Sequence, residues 1–174
     1  MTDAAEHPRT EPATTDDGGG TSSRHYRLML AIAAVWIALD QLTKWWAERS
    51  LDTPIDVIGS LRFNLAYNTG TAFSLGSTFG PIIAVLAVVI VVVLLRAGRT
   101  VTTTIGVWAL GMVLGGAIGN LLDRVLNARD GFLDGAVVDF IDLQWWPIFN
   151  IADIGIVVGG VLLVLTGIRH GDEH

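Results

Sequence analysis

The sequence has no cysteine, and this absence excludes several kinds of chemistry. Without a thiol, the chain forms no disulfide, has no cysteine nucleophile and offers no cysteine ligand to a metal. Lysine occurs only at Lys44, and the histidines lie near the chain ends, at His7, His25, His170 and His174. We therefore expect neither histidine catalysis nor a metal site, and no cofactor. No stripe of basic residues indicates a nucleic-acid partner.

Charge is also scarce. Charged residues make up 16% of the 174 residues, hydrophobic residues make up 51%, and the mean hydropathy is +0.53. This composition is too apolar for a water-soluble domain of that size. Residues 1–23 differ, because they are rich in Thr, Asp, Glu, Pro and Gly and have almost no large apolar side chains. They predict a disordered N-terminal tail ahead of a membrane domain over residues 24–174.

Long apolar segments predict the fold class. The candidates are residues 26–46, 79–97, 101–122 and 149–168. Each is close to the roughly 20 residues that cross a hydrocarbon core about 30 Å thick. The run "IIAVLAVVIVVVLL" is apolar on every side, which favours membrane helices over the buried helices of a soluble bundle. We predict an all-α membrane protein with four transmembrane helices.

The basic residues predict an orientation. They flank the apolar segments at one end, at Arg24, Arg27, Arg96, Arg99 and Arg169. By the positive-inside tendency, this end and both termini are cytoplasmic, and loops 47–78 and 123–148 are extracytoplasmic. The stretch "LRFNLAYN" alternates partly and reads as a strand. We therefore expect a small extracytoplasmic β-sheet, together with a short extracytoplasmic helix or hairpin between residues 123 and 145.

Polar residues gather at the outer ends of these segments. They are Asp40, Gln41 and Lys44 in the first, Asn120, Asp123 and Arg124 in the third, and Asn150 and Asp153 in the fourth. Within each set, spacings of three or four residues place the side chains on one helical face. Glycines at every fourth position, such as Gly111, Gly115 and Gly119, let membrane helices approach closely. Since polar groups at this depth are costly, their convergence predicts a functional site.

Two carboxylates, Asp139 and Asp153, suggest the chemistry. At a partly dry site two neighbouring acids cannot both ionise cheaply, so one keeps a proton while the other stays charged. The charged one can take a proton from water, and the protonated one can donate to a leaving amine. Two readings stay open from the residues alone. Asp123 or Asp142 could be the partner of Asp153, or Asp153 could simply favour a helix N-terminus.

The motifs resemble those of the lipoprotein signal peptidases (signal peptidase II), integral-membrane aspartic peptidases of bacteria. The matching stretches are "DQLTK" (40–44), "NLAYNTGTAF" (64–73), "GGAIGNLLDR" (115–124), "VVDFI" (137–141) and "FNIAD" (149–153). Thr71 departs from the alanine that relatives often carry. The resemblance covers about residues 26–168 and gives the tail no counterpart.

The resemblance implies roles for individual residues. It makes Asp139 and Asp153 the catalytic pair. The supporting or substrate-binding residues that it implies are Asp40, Lys44, Asn64, Asn68, Asn120, Asp123, Arg124 and Asn150. It further implies a substrate, a prolipoprotein whose cysteine carries diacylglycerol and which is cut on the N-terminal side of that cysteine. It also implies a location in the bacterial inner membrane, contact with lipid, and inhibition by the cyclic peptide globomycin.

Other functions remain as alternatives. A Ser/Lys peptidase would use Lys44 with Ser60 or Ser74, but a lysine base needs a lowered pKa, and the neighbouring Asp40 favours the charged form. A small ion- or solute-translocating membrane protein would use its acids as relay groups. Such a protein should carry polar residues or broken helices at mid-membrane, whereas the acids here gather at one end.

Overall fold

The computed structural model describes residues 18–70, 80–128, 131 and 133–171. The chain is mostly helical and carries one small antiparallel sheet of three strands. The elements in chain order are α1 (Gly18–Ser50), β1 (Ile55–Ile58), β2 (Leu61–Asn68), α2 (Gly80–Ala97), α3 (Thr104–Leu126), β3 (Val137–Asp142) and α4 (Ile151–Gly171). The predicted helical class and the predicted small sheet are both confirmed.

The helices differ in how clearly they could cross a membrane. Within the described residues, two stretches are long and apolar enough by length and composition, Ser22–Ser50 and Thr104–Leu126. The apolar parts of α2 and α4 are shorter, at Ile82–Ala97 and Ile151–Thr166. At 1.5 Å per residue, each of the shorter stretches spans about 24 Å, less than a full hydrocarbon core. Of the four predicted spans, two are therefore supported by length and composition, and the other two correspond to apolar helices that are shorter than a full span.

Helix α3 is the centre of the bundle and packs against α1, α2 and α4. Thr103 caps its N-terminus by accepting a hydrogen bond from the Gly106 amide at 3.1 Å. Glycines allow the close packing. A Cβ at Gly111 would lie 2.8 Å from the Cβ of Ile32, and one at Gly115 would lie 2.8 Å from the Ala33 carbonyl oxygen. Small residues therefore bring the polar ends of α1, α3 and α4 together.

The sheet covers one end of the bundle. Its strand order is β1-β2-β3, and both pairings are antiparallel. Phe63 and Phe140 on the sheet pack against Trp46 near the end of α1, with ring centroids 5.4 and 6.2 Å from that of Trp46. Register is irregular on β2 between Phe63 and Ala66. The sheet is thus fixed over the ends of the helices that carry the polar residues.

Two details differ from the sequence predictions. Helix α1 begins at Gly18, whereas the sequence predicts disorder as far as residue 23; extension of an existing helix costs little once it is nucleated. Ser22 also donates a hydrogen bond to the Arg99 carbonyl at 2.9 Å. Between residues 123 and 145, the described residues form the end of α3 and strand β3, without a separate short helix. Residues 71–79, 129, 130 and 132 lie outside the described residues.

Candidate active site

Asp139 and Asp153 line the same cavity, which has a volume of about 400 Å³. Asp139 lies on β3 and is only 2% exposed, while Asp153 lies in the first turn of α4 and is half-buried. One side of the cavity is polar, with Asn68, Asn120 and Arg124 beside the aspartates. The fold therefore brings together the two carboxylates that the sequence analysis singles out, one from strand β3 and the other from helix α4.

Asn150 links the two aspartates. Its side-chain nitrogen Nδ2 donates to Asp139 Oδ1 at 2.7 Å, and its backbone N–H donates to Asp153 Oδ2 at 3.2 Å. The Asp153 backbone N–H donates in return to Asn150 Oδ1 at 3.0 Å. This reciprocal pair, three residues apart at the start of α4, is a capping box. The local sequence "FNIAD" thus caps the helix and orients Asp153 in the same step.

The remaining carboxylate oxygens also accept hydrogen bonds from amides. Asn68 Nδ2 donates to Asp139 Oδ2 at 3.1 Å, and Asn120 Nδ2 donates to Asp153 Oδ1 at 2.8 Å. The Gly70 N–H holds Asn68 by donating to its Oδ1 at 2.9 Å. Every oxygen of the pair therefore has an amide donor, which fixes both carboxyl groups in the cavity.

Burial and charge set the protonation of Asp139. Burial and, to a smaller extent, the nearby charge of Asp153 together raise the pKa of this carboxyl group to about 7. Hydrogen bonds from Asn68 and Asn150 and the charge of Lys44 oppose the rise. Near neutral pH the site can therefore hold a carboxylic acid beside a carboxylate, the combination that general acid–base catalysis needs.

Lys44 lies behind the aspartates in a buried cluster of charges. Its Nζ atom is 2.8 Å from Asp40 Oδ2 and 2.9 Å from Asp123 Oδ2, and it donates to Asn120 Oδ1 at 2.9 Å. Asp40 Oδ1 accepts from the Ala152 N–H at 2.9 Å, so it also holds the first turn of α4. These contacts join α1, α3 and α4 beneath the cavity.

Asp123 and Arg124 fix strand β3 to α3. Asp123 Oδ2 accepts from the Val138 N–H at 2.9 Å, next to Asp139. Arg124 lines the cavity and donates from Nη1 to the Gly135 carbonyl at 3.3 Å. Both residues therefore position the strand that carries Asp139.

The other two candidate partners of Asp153, which are Asp123 and Asp142, form ion pairs with other residues. Asp123 is paired with Lys44, and Asp142 accepts from Arg62 Nε at 2.7 Å on the sheet. The hydrogen bond from Arg62 lowers the pKa of Asp142, so this group stays ionised at neutral pH. Neither carboxylate lines the cavity that Asp139 and Asp153 share.

Asn64 is the predicted site residue that the structure places elsewhere. Its Nδ2 donates to Asp142 Oδ2 at 3.2 Å, beside Arg62. Asn64 and Asn68 are four residues apart and would share a face of a regular strand. The irregular register between Phe63 and Ala66 adds a residue between them, and a bulge of this kind redirects side chains.

Two residues of the site region carry a role that the sequence analysis does not assign. Gln41 Nε2 donates to Asp123 Oδ1 at 2.9 Å and to Asp40 Oδ2 at 3.2 Å, so it ties two carboxylates together. The sequence analysis places Gln41 in the polar group with Asp40 and Lys44 but assigns it no contact. Trp36 Nε1 donates to the Ile151 carbonyl at 3.0 Å and braces the start of α4; nothing in an apolar segment points to this contact.

The Ser/Lys alternative finds little support in the geometry. Lys44 is 3% exposed and its ammonium group is engaged by two carboxylates, Asp40 and Asp123, rather than by a serine. Ser60 lies in the turn between β1 and β2, where its carbonyl accepts from Gln144 Nε2 at 3.0 Å. Ser74 lies outside the described residues.

Comparison with known proteins identifies close similarities. The family model described as Signal peptidase (SPase) II matches residues 32–169. A lipoprotein signal peptidase of Rhodococcus jostii is 38% identical over 167 residues, covering 94% of this chain and 84% of the relative. One from Mycolicibacterium smegmatis is 39% identical over 171 residues, covering 94% of this chain and 72% of the relative. A solved structure described as a bacterial membrane enzyme superposes with a TM-score of 0.73 at 26% identity, covering 84% of this chain and 91% of its own.

Proposed function

The chain belongs to the signal peptidase II family, and from this premise we propose that Asp139 and Asp153 are the catalytic pair with which it cuts its substrate. The protein is an integral-membrane peptidase of the aspartic type that cleaves the signal peptides of lipoproteins. The observation that supports the proposal is the position of Asp139 and Asp153. Both carboxylates line one cavity, and amide N–H groups donate hydrogen bonds to all four of their oxygens.

The proposed reaction is direct attack of water on the scissile peptide bond. The ionised carboxylate takes a proton from the water as the oxygen attacks the carbonyl carbon. The protonated carboxyl group polarises the carbonyl and then delivers its proton to the leaving amine as the C–N bond breaks. A pKa of about 7 at Asp139 allows the pair to hold a single proton at neutral pH. Arg124, which lines the same cavity, can stabilise developing negative charge.

The shape of the cavity supports an apolar, lipid-bearing substrate. Its polar side carries the aspartates, and the rest of its lining is apolar, from Ile83, Ala87, Ile90, Val113, Ala117, Leu121 and Ile156. These residues come from α2, α3 and α4. A signal-peptide helix or the acyl chains of a diacylglyceryl cysteine would find apolar contacts there while the peptide bond meets the acids. Globomycin, a cyclic peptide, would occupy the same cavity.

The proposed placement in the membrane follows from the charges. All four long helices cross the bacterial inner membrane in this proposal, with the exposed Arg24, Arg27, Arg96 and Arg99 on the cytoplasmic side. Both termini are then cytoplasmic. The sheet and the aspartates lie on the extracytoplasmic side, at the depth where a diacylated cysteine is anchored. The alternative of ion or solute translocation is not favoured, because the relatives are peptidases.

The experiment is mass spectrometry of a purified prolipoprotein incubated with the purified enzyme. One sample of substrate carries the diacylglyceryl group on its cysteine, and a matched sample carries the unmodified cysteine. We expect release of the signal peptide from the modified substrate only, with cleavage on the N-terminal side of the cysteine. Equal cleavage of both substrates would refute the lipid requirement, and cleavage of neither would refute the peptidase assignment.

A further inference from the structure

We propose that Lys44 is a positioning residue that fixes the direction of the Asn120 side-chain amide, so that Asn120 presents an N–H group to Asp153. This inference rests on the proposed catalytic role of the aspartates and adds a residue that acts on them from a distance. Lys44 does not line the cavity of the pair; it acts through Asn120, which does.

The argument starts from the ammonium group of Lys44. An ammonium group only donates hydrogen bonds, so the atom of Asn120 that faces it at 2.9 Å must be the carbonyl oxygen Oδ1. The amide nitrogen of Asn120 must then point the other way. It meets Asp153 Oδ1 at 2.8 Å. An NH₂ group also only donates, so this oxygen of Asp153 is held as an acceptor.

The groups that fix the direction of the Asn120 side chain differ from those that fix Asn68 and Asn150. The Gly70 N–H fixes the direction of Asn68, and the Asp153 N–H fixes that of Asn150. Both are backbone groups that cannot turn. Asn120 Oδ1 is contacted by Lys44 Nζ and by Asn150 Nδ2 at 3.0 Å, which are side chains. Of these, Lys44 is the charged donor, and its two carboxylate contacts hold it in place.

Loss of the ammonium group would leave Asn120 Oδ1 with the uncharged donor Asn150 Nδ2 and would weaken the hold on the direction of the Asn120 amide. Its carbonyl oxygen could then face Asp153, and two acceptors in contact repel unless a proton lies between them. The charged groups that line the cavity with Asp153 are Asp139 from β3 and Arg124 from α3, and the cluster of Lys44 with Asp40 and Asp123 lies behind Asn120. A turned amide would therefore keep a proton on the pair to higher pH, so that less enzyme carries the carboxylate that activates water.

The test uses a variant that removes the ammonium group and preserves the local net charge. Lys44→Met alone leaves Asp40 and Asp123 without a cation, so Lys44→Met is combined with Asp123→Asn, which preserves the local net charge. We expect kcat to fall by about ten- to a hundredfold, as for loss of a hydrogen bond to a charged group, with little change in KM. We also expect the acid side of the pH profile of kcat/KM to move to higher pH.

A second variant tests the same claim while keeping the ion pairs. Asn120→Leu is similar in size and uncharged, leaves Lys44 with Asp40 and Asp123, and presents no N–H group to Asp153. We expect the same direction of shift in the pH profile, and no further shift when it is combined with the Lys44→Met/Asp123→Asn pair. The matched control is Arg62→Met/Asp142→Asn, which removes the ion pair on the sheet and should leave the pH profile unchanged.

The outcomes separate this inference from the proposed function. If Asp139→Asn and Asp153→Asn are inactive while both Lys44 and Asn120 variants keep the wild-type pH profile, Lys44 is a structural residue and the inference fails alone. A shift of the profile to lower pH would also overturn it. If Asp139→Asn or Asp153→Asn retains turnover, the proposed function itself fails.

Discussion

The substitution Asp139→Asn should change the stability of the protein in a pH-dependent way that reverses sign. Burial and the charge of Asp153 raise the pKa of Asp139 from 3.8 to about 7. Each pKa unit corresponds to about 1.4 kcal/mol, so ionising Asp139 in the folded state costs roughly 4 kcal/mol. Because the folded state binds this proton more tightly than the unfolded chain, the free energy of unfolding falls as pH rises from about 4 to about 7.

The asparagine variant does not ionise and escapes that cost. Its new NH₂ group must face one of two donors, Asn68 or Asn150, and this mismatch costs about 1 kcal/mol at every pH. The variant should therefore be less stable than the wild type by about 1 kcal/mol below pH 4, and more stable by roughly 3 kcal/mol at pH 8. The two stabilities should cross at about pH 4.5.

The assay is unfolding in detergent, followed by tryptophan fluorescence from pH 4 to pH 8. Asp142→Asn is the matched control, since Arg62 lowers the pKa of Asp142. Its contribution is present at neutral pH and lost as pH falls, so the control should be destabilised at neutral pH and approach the wild type in acid. A difference between Asp139→Asn and the wild type that stays constant with pH would refute the claim that Asp139 is buried beside a second charge.

Two further predictions concern the packing of helix glycines, and a third concerns the N-terminal residues that precede the site. Gly119→Ala should destabilise by about 1–3 kcal/mol and lower activity, because a Cβ there would lie 2.6 Å from Asp40 Oδ2 in a closely packed seam. Gly160→Ala in α4, where a Cβ would meet nothing within 4 Å, should be neutral or slightly stabilising when unfolding in detergent is followed by tryptophan fluorescence. Equal losses in both variants would refute the packing argument. Removing residues 1–17 should leave kcat/KM unchanged, since the site begins at Asp40; a loss of activity in the lipidated-substrate assay would show that the tail takes part.

The sequence predicts the polar site well where simple geometry connects residues. Asn150 and Asp153 are three apart on one helix, and Asn120, Asp123 and Arg124 share a face of α3, so their grouping follows from helical spacing. The partner of Asp153 does not follow from spacing, because Asp139 lies on a strand. The motif resemblance singles out Asp139, and the cavity that it shares with Asp153 agrees with that choice.

The sequence does not predict the contacts that depend on packing between distant parts of the chain. The bulge on β2 that separates Asn64 from Asn68 depends on pairing with β3, which local residues do not specify. The role of Gln41 depends on the approach of α3 to α1, since two of its acceptors, the Gly119 carbonyl and Asp123 Oδ1, lie 78 and 82 residues away. Likewise, the Trp36 contact with the Ile151 carbonyl joins residues 115 apart.

The most direct test of the central claim compares single and double substitutions of the aspartate pair. Release of signal peptide from a diacylglyceryl-modified prolipoprotein would be measured for Asp139→Asn, Asp153→Asn and the double variant, each shown to be folded by its unfolding transition. Groups that act as one unit are not additive, so each single variant should lose as much kcat as the double variant, by about a thousandfold or more. Turnover within about tenfold of the wild type in either single variant would contradict the account.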